Sequence, residues 1–258
     1  MAAPALRAVL VGASNVSLSL GTWVAKLRGA AGGPVEVLAA CGNGRSYGAW
    51  SRFLFVRTLP GIVRCGLWDE LARRPPMPTV ALVADVGNDI LYEHPVERIA
   101  GWVDTCLARL AEQGARTLLA TASLPVIAGV GPLRYLALRS LIYPGRSLPF
   151  APARERAVAL DAALRAAAAA RGVPVVVPEP LWYGRDPIHV RRSSRGPFCD
   201  AALTAWDLPC AAPAPPGRVV RRRGFPGLPF AHERLCGVEL RTPQPARAFA
   251  DGTNVSFF

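Results

Sequence analysis

Lysine is nearly missing from this chain: Lys26 is the only one, and the rest of the 30 basic residues are arginine. Against 18 acidic residues they leave a formal net charge of +12. Such an excess suits an acidic partner. No nucleic-acid motif and no alternation of aromatic with basic residues accompanies it, so nucleic acid is not expected as a partner. With alanine, glycine and proline also abundant, the arginines read as a compositional bias placed on solvated faces. The six cysteines, at 41, 65, 106, 199, 210 and 236, include no C-x-x-C pair, which removes the usual zinc spacing. Cys41 and Cys106 fall in strand-end and helical patterns where buried thiols are common, and all six read as reduced. Long unbroken apolar runs are lacking too. The most apolar later stretch, 157–177, is interrupted by Asp161, Arg165 and Arg171, so no membrane span is expected. Arg7 followed by residues 8–20 imitates a signal peptide. Asn15 and several serines break that run, and cleavage would delete the first strand, so a cytoplasmic protein is expected.

What the chain does have is enough apolar material for one sizeable core, 51% hydrophobic in 258 residues. Residues 7–11 form an apolar run without polar alternation, the pattern of a strand buried on both faces. Further strands are expected at 34–40, 79–84, 116–120 and 173–177. Helices are expected at 17–28, 95–113, 132–142 and 153–170, where apolar residues recur at helical spacing or alanine dominates. Strand and helix alternate, which predicts a parallel sheet covered by helices on both faces. Internal repeats are absent. Beyond residue 190 the pattern weakens. A Pro/Ala-rich stretch at 209–217 reads as a linker, 221–223 is a basic run, and 235–240 and 254–258 read as short strands.

Four strand ends carry polar chemistry. The first strand stops at Gly12-Ala13-Ser14-Asn15, which sets a serine at a strand-to-helix turn. Its ordinary reading is a helix cap. The second strand runs into C-G-N-G-R-S-Y-G, residues 41–48, whose glycines at 42, 44 and 48 do not fit the dinucleotide fingerprint. No G-K-[ST] follows either glycine loop, so a phosphate loop is absent. The third strand runs into Asp85-Val86-Gly87-Asn88-Asp89, and Asp186-Pro-Ile-His189 follows the fifth. In a doubly wound sheet these loops gather at one edge. A serine hydroxyl needs a base. Only His94, His189 and His232 are available, and His189 alone has an acid three residues before it, close enough to reach its Nδ1.

In order and placement these motifs resemble the SGNH hydrolases, the GDSL esterase/lipase superfamily, over roughly the first three-quarters of the chain. G-A-S-N stands at the first block, the glycine loop at the second, G-N-D at the third and D-x-x-H at the fifth. Ala13 replaces the usual aspartate of the first block, and Val86 the first glycine of the third. The resemblance implies a flavodoxin-like, doubly wound α/β sandwich around about five parallel strands, with a hydrolase-like domain over 1–190 and an extension over 191–258 packed on it. It implies a serine hydrolase acting on a small-molecule ester with no cofactor or metal. Ser14 would be the nucleophile, His189 the base and Asp186 its orienting acid. The Ser14 N–H, Asn88 and a glycine N–H would bind the oxyanion, the glycine being Gly48, ahead of an expected helix, or alternatively Gly44. The competing reading is a non-catalytic α/β module that keeps the shape of the site to bind a ligand. Tyr47, Trp50, Trp182 and Tyr183 flank the motifs.

Overall fold

A computed structural model describes residues 2–53, 56–210 and 228–258. Most of the 209–217 stretch and the basic run at 221–223 therefore lie outside the described residues. The frame is a seven-stranded sheet. Its centre is β1 (Leu6–Val11), flanked by β2 (Val35–Ala40) and β5 (Thr79–Val83), with β6 (Arg116–Ala120) and β7 (Val175–Val176) beyond β5. All these neighbours pair in parallel, with Val9 opposite Leu38 on one side and Ala81 on the other. The order β2-β1-β5-β6-β7 is the doubly wound one, and it reverses direction between β1 and β5, where such sheets bind ligands.

The unbroken apolar run of β1 has a direct physical cause, since both faces are covered. Ala8 and Leu10 belong to a core with Trp23, Leu27, Phe198 and Trp206, formed by α1 (Ser14–Ala31) and α8 (Arg195–Ala205). Val9 and Val11 belong to the opposite core with Val103, Leu107 and Leu164, formed by α4 (Val96–Glu112) and α7 (Phe150–Ala170). The edge of α4 that carries Ile99, Val103, Cys106, Leu107 and Leu110 is buried throughout, as the helical spacing of those residues requires.

The weakly patterned C-terminal residues complete the sheet. β11 (Asn254–Phe257) pairs in parallel with β2, and β10 (Arg247–Ala248) pairs antiparallel outside it. The N–H of Phe258 donates to the Ala39 carbonyl at 2.9 Å, and its own carbonyl accepts from the buried Arg45 guanidinium. A second, four-stranded antiparallel sheet joins β3 (Ser51–Phe53) and β4 (Arg57–Leu59) to β8 (His232–Leu235) and β9 (Val238–Arg241). The helix expected after Gly48 is therefore a strand. Phe53 and Thr58, an aromatic and a β-branched residue in β3 and β4, suit that state.

Candidate active site

The site lies at the carboxyl ends of β1, β2 and β5. Gly12 lets the β1–α1 turn close tightly: a Cβ there would stand 2.6 Å from Val16 Cγ2 and 3.1 Å from the Ala84 carbonyl. Ser14 is the first residue of α1, at the positive end of an 18-residue helix. No side chain of the helix's own sequence caps it. The cap comes from the neighbouring strand end instead. Asp85, held at φ +60°, accepts the Ala13 and Val16 N–H groups on Oδ2, each at 3.1 Å, and the Asn15 amide on Oδ1 at 2.9 Å. Two orphan donors of the helix start are thus satisfied by one remote carboxylate.

His189 arrives from the loop after β7. Its Nε2 is 2.9 Å from Ser14 Oγ and its Nδ1 is 2.6 Å from Asp186 Oδ2. Asp186 Oδ1 also accepts the Ile188 N–H at 2.8 Å and the His189 N–H at 3.3 Å, so the carboxylate shapes the turn that carries the imidazole. Burial pushes the Asp186 carboxyl up, but the His189 ring and these backbone donors outweigh it and hold the group below the usual carboxylate range. Asn15 fastens this loop to α1. Its Nδ2 donates to the Ile188 carbonyl at 3.1 Å and its Oδ1 accepts from the Val190 N–H at 2.9 Å, so His189 is gripped on both sides. Asp85 and Asn15 were not assigned these parts from the sequence. Asp85 is signalled only as a polar residue closing an apolar strand, and its partners lie some 70 positions away.

The sequence-derived positions diverge at the glycine. Gly48 is packed where a Cβ would run into the Trp102 ring, and its N–H donates to Ser46 Oγ at 3.2 Å. Its place is fixed by the β3–β4 hairpin, whose far side brings Gly61 against it. Gly44, at φ +63°, lines the cavity beside Ser14 instead. Asn88 lines the same cavity. Its Oδ1 accepts from Tyr143 Oη at 2.6 Å and its Nδ2 donates to the Arg45 carbonyl at 3.2 Å. This pairing fixes which end of the amide is the donor and leaves the second Nδ2 hydrogen unspent. Burial pushes Tyr143 well above the ordinary phenol range, so it remains a donor. Next to Asn88, Asp89 is fully buried and holds the glycine loop, accepting from Ser46 Oγ and, at 2.8 Å, from the Tyr47 N–H.

The other histidines stand apart. His94 packs edge-on to Trp102 and His232 pairs with Glu239 in the small sheet. Of the flanking aromatics only Tyr183 lines the cavity, whereas Tyr47 is buried with its hydroxyl on the Ala84 carbonyl at 2.6 Å, Trp50 packs on His232, and Trp182 on Phe198. Among the described residues no cluster of three or more His, Cys, Asp or Glu side chains is placed to hold a metal ion, and no helix is long and apolar enough to cross a membrane. The cysteines are all free.

No family model matches this sequence, and no curated protein sequence matches it. Solved structures do match. The inhibitor-bound aryl esterase of M. smegmatis superposes with a TM-score of 0.54 at 14% identity, over 78% of this chain and 98% of the other. The native form of that esterase gives 0.50 at 14%, over 77% and 99%. The chain has the α/β fold of the SGNH hydrolases.

Proposed function

We propose that this protein is a serine hydrolase that cleaves an ester through an acyl-enzyme. The observation that carries this reading is the unbroken line Ser14 Oγ–His189 Nε2–Asp186 Oδ2, at 2.9 and 2.6 Å, opening on a cavity at the switch point of the sheet. Nε2 takes the serine proton as Oγ attacks the ester carbonyl. Asp186 keeps the other proton on Nδ1 and stabilises the imidazolium that forms. The carbonyl oxygen becomes an oxyanion, facing the Ser14 N–H at the helix start, the Gly44 N–H and the free Nδ2 hydrogen of Asn88. Such donors act strongly because they are already in place when the charge develops. The imidazolium then returns its proton to the departing alkoxide, leaving the acyl group on Ser14. Water deprotonated by His189 attacks that ester, and the acid leaves as Oγ recovers its proton. Every step uses groups of this chain and water.

The aryl esterase with the same fold acts, by its name, on aryl esters, so a short-chain aryl ester is the natural first substrate. The parent should hydrolyse it, and Ser14→Ala and His189→Ala should each abolish turnover while leaving the fold intact, because the members of such a triad act as a unit. Turnover by a folded Ser14→Ala variant at the parent rate would refute the assignment.

A further inference from the structure

Two tyrosines from distant parts of the chain meet behind the oxyanion donors. Tyr92 ends the short α3 (Asn88–Leu91), and its N–H donates to the Asn88 carbonyl at 3.2 Å. Tyr143 ends α6 (Pro132–Ile142), a helix that places Leu138 and Ile142 on the cavity wall. The two rings pack edge to face, with centroids 5.1 Å apart. Each hydroxyl reaches a different member of the site. Tyr143 Oη donates to Asn88 Oδ1 at 2.6 Å, and Tyr92 Oη donates to the Gly44 carbonyl at 2.7 Å. The Arg45 carbonyl, next along the glycine loop, accepts from Asn88 Nδ2 at 3.2 Å, so the same few residues tie the loop to α3. Gly44 needs such a hold. At φ +63° it occupies the left-handed region, and it has no side chain with which to anchor itself. Its carbonyl and its N–H flank one Cα, so holding the first limits the rotation of the second. Burial pushes Tyr92 up to about 12, which keeps its hydroxyl a donor well into the alkaline range. Tyr143 is buried, so water is poorly placed to substitute for its hydroxyl.

We infer that Tyr92 and Tyr143 are positioning residues for the reaction, a packed pair in which Tyr143 sets the Asn88 amide and Tyr92 sets the Gly44 backbone. The inference rests on the proposed hydrolysis at Ser14 and on those two groups facing its oxyanion. An oxyanion donor is effective because it is already in place when charge develops. A hydroxyl that holds the donor in place therefore acts on the transition state and leaves substrate binding alone. The two hydroxyls work through separate groups. Tyr143 reaches the oxyanion through Asn88, and Tyr92 reaches it through the glycine loop. The alternative is that the hydroxyls only satisfy two buried acceptors, in which case their loss lowers stability and leaves the rate of the folded enzyme unchanged.

The experiment makes Tyr92→Phe and Tyr143→Phe in the full chain, each in the parent and in Asn88→Ala, and measures kcat, KM and the denaturant midpoint with a short-chain aryl ester. Phenylalanine keeps the ring contact and removes the hydroxyl alone. In the parent each substitution should lower kcat about tenfold, the worth of one well-formed hydrogen bond. KM should stay within about twofold, as it does when only the transition state loses an interaction. In Asn88→Ala the two should part. Tyr143→Phe should have no further effect, because the group it acts through is gone, whereas Tyr92→Phe should keep its loss of about tenfold. Parent kcat in either folded variant would overturn the inference, whatever happens to the midpoint. So would a Tyr143→Phe loss that persists in full in Asn88→Ala. If Tyr143→Phe fails to fold, Tyr92→Phe decides by the same criterion. A parent that cleaves no ester sinks the hydrolase reading instead, and the side-chain amide resonances of Asn88 then decide the clamp by themselves. They should shift and exchange with water about tenfold faster in Tyr143→Phe than in the parent. Unmoved resonances there would overturn the clamp as well.

Discussion

Replacing Asn15 by alanine should damage catalysis without touching any group that reacts. The Asn15 side chain makes three hydrogen bonds, to Asp85 Oδ1, the Ile188 carbonyl and the Val190 N–H. The last two straddle His189, and Val190 is 4% exposed, so water does not easily replace the lost acceptor. At about 1 kcal/mol for each bond the loss is about 3 kcal/mol, of which part appears as global stability and part as freedom of the 186–190 loop. If most of it falls on the loop, the orientation of the imidazole is lost at a cost of about 10² in rate, the size expected when a reacting group shifts by about 1 Å. The variant should therefore lose kcat by about 10² with KM nearly unchanged, and the Val190 amide should exchange with solvent faster than in the parent. Asn15→Asp should not rescue it, because an oxygen would replace the donor that faces Asp85 and the Ile188 carbonyl. Steady-state kinetics on a short-chain ester and amide exchange provide the readout. A variant with parent kcat would show that His189 is held by its own turn and that the grip of Asn15 is incidental.

Four further outcomes follow from the same structure. Asn88→Ala should cost about 10²–10³ in kcat, the loss of one oxyanion donor; an unchanged kcat would remove Asn88 from that part. Gly48→Ala should act on folding, lowering the denaturant midpoint because its methyl group meets Trp102; a normally stable variant with lost kcat would return the oxyanion role to Gly48. Burial raises Asp89 to about 6 from 3.8, although Ser46 and Tyr47 donate to it. The native state then holds the proton more tightly than the unfolded chain, so this contribution is complete below about pH 4 and is lost as pH rises through 6. Relative to Asp89→Asn, the parent should lose about 3 kcal/mol across that window in urea titrations, and a difference independent of pH would refute this. Phe257→Ala, in the strand that pairs with β2, should cost about 3–5 kcal/mol; a negligible loss would detach the C-terminal segment from the folding unit.

The parts of the fold that were legible in the sequence are those set by local pattern. β1 shows as an apolar run because both of its faces are covered, and α4 shows through its helical spacing because only one of its faces is buried. Ser14, Asp186 and His189 stood out because few residue types can do that chemistry and the strand ends ordered them. The illegible parts depend on long-range pairing. Whether Gly44 or Gly48 reaches the cavity is settled by the β3–β4 hairpin, and β4 in turn pairs with β8, with Arg57 opposite Leu235. The cap that Asp85 supplies to α1 crosses from one strand end to the next and leaves no spacing to read. The strand read at 254–258 is present as β11, but four residues carry no signal for its pairing with β2.

The central claim is that Ser14 is a nucleophile activated by His189, and a serine-directed alkyl phosphonate tests it most directly. Incubated with the intact protein and followed by peptide mass spectrometry, the reagent should add one phosphonyl group per chain, on Ser14 alone. Labelling should vanish in Ser14→Ala and slow severely in His189→Ala, since the neutral hydroxyl attacks poorly without its base. Absence of an adduct on the folded protein, or an adduct on another residue that persists in Ser14→Ala, would contradict the account.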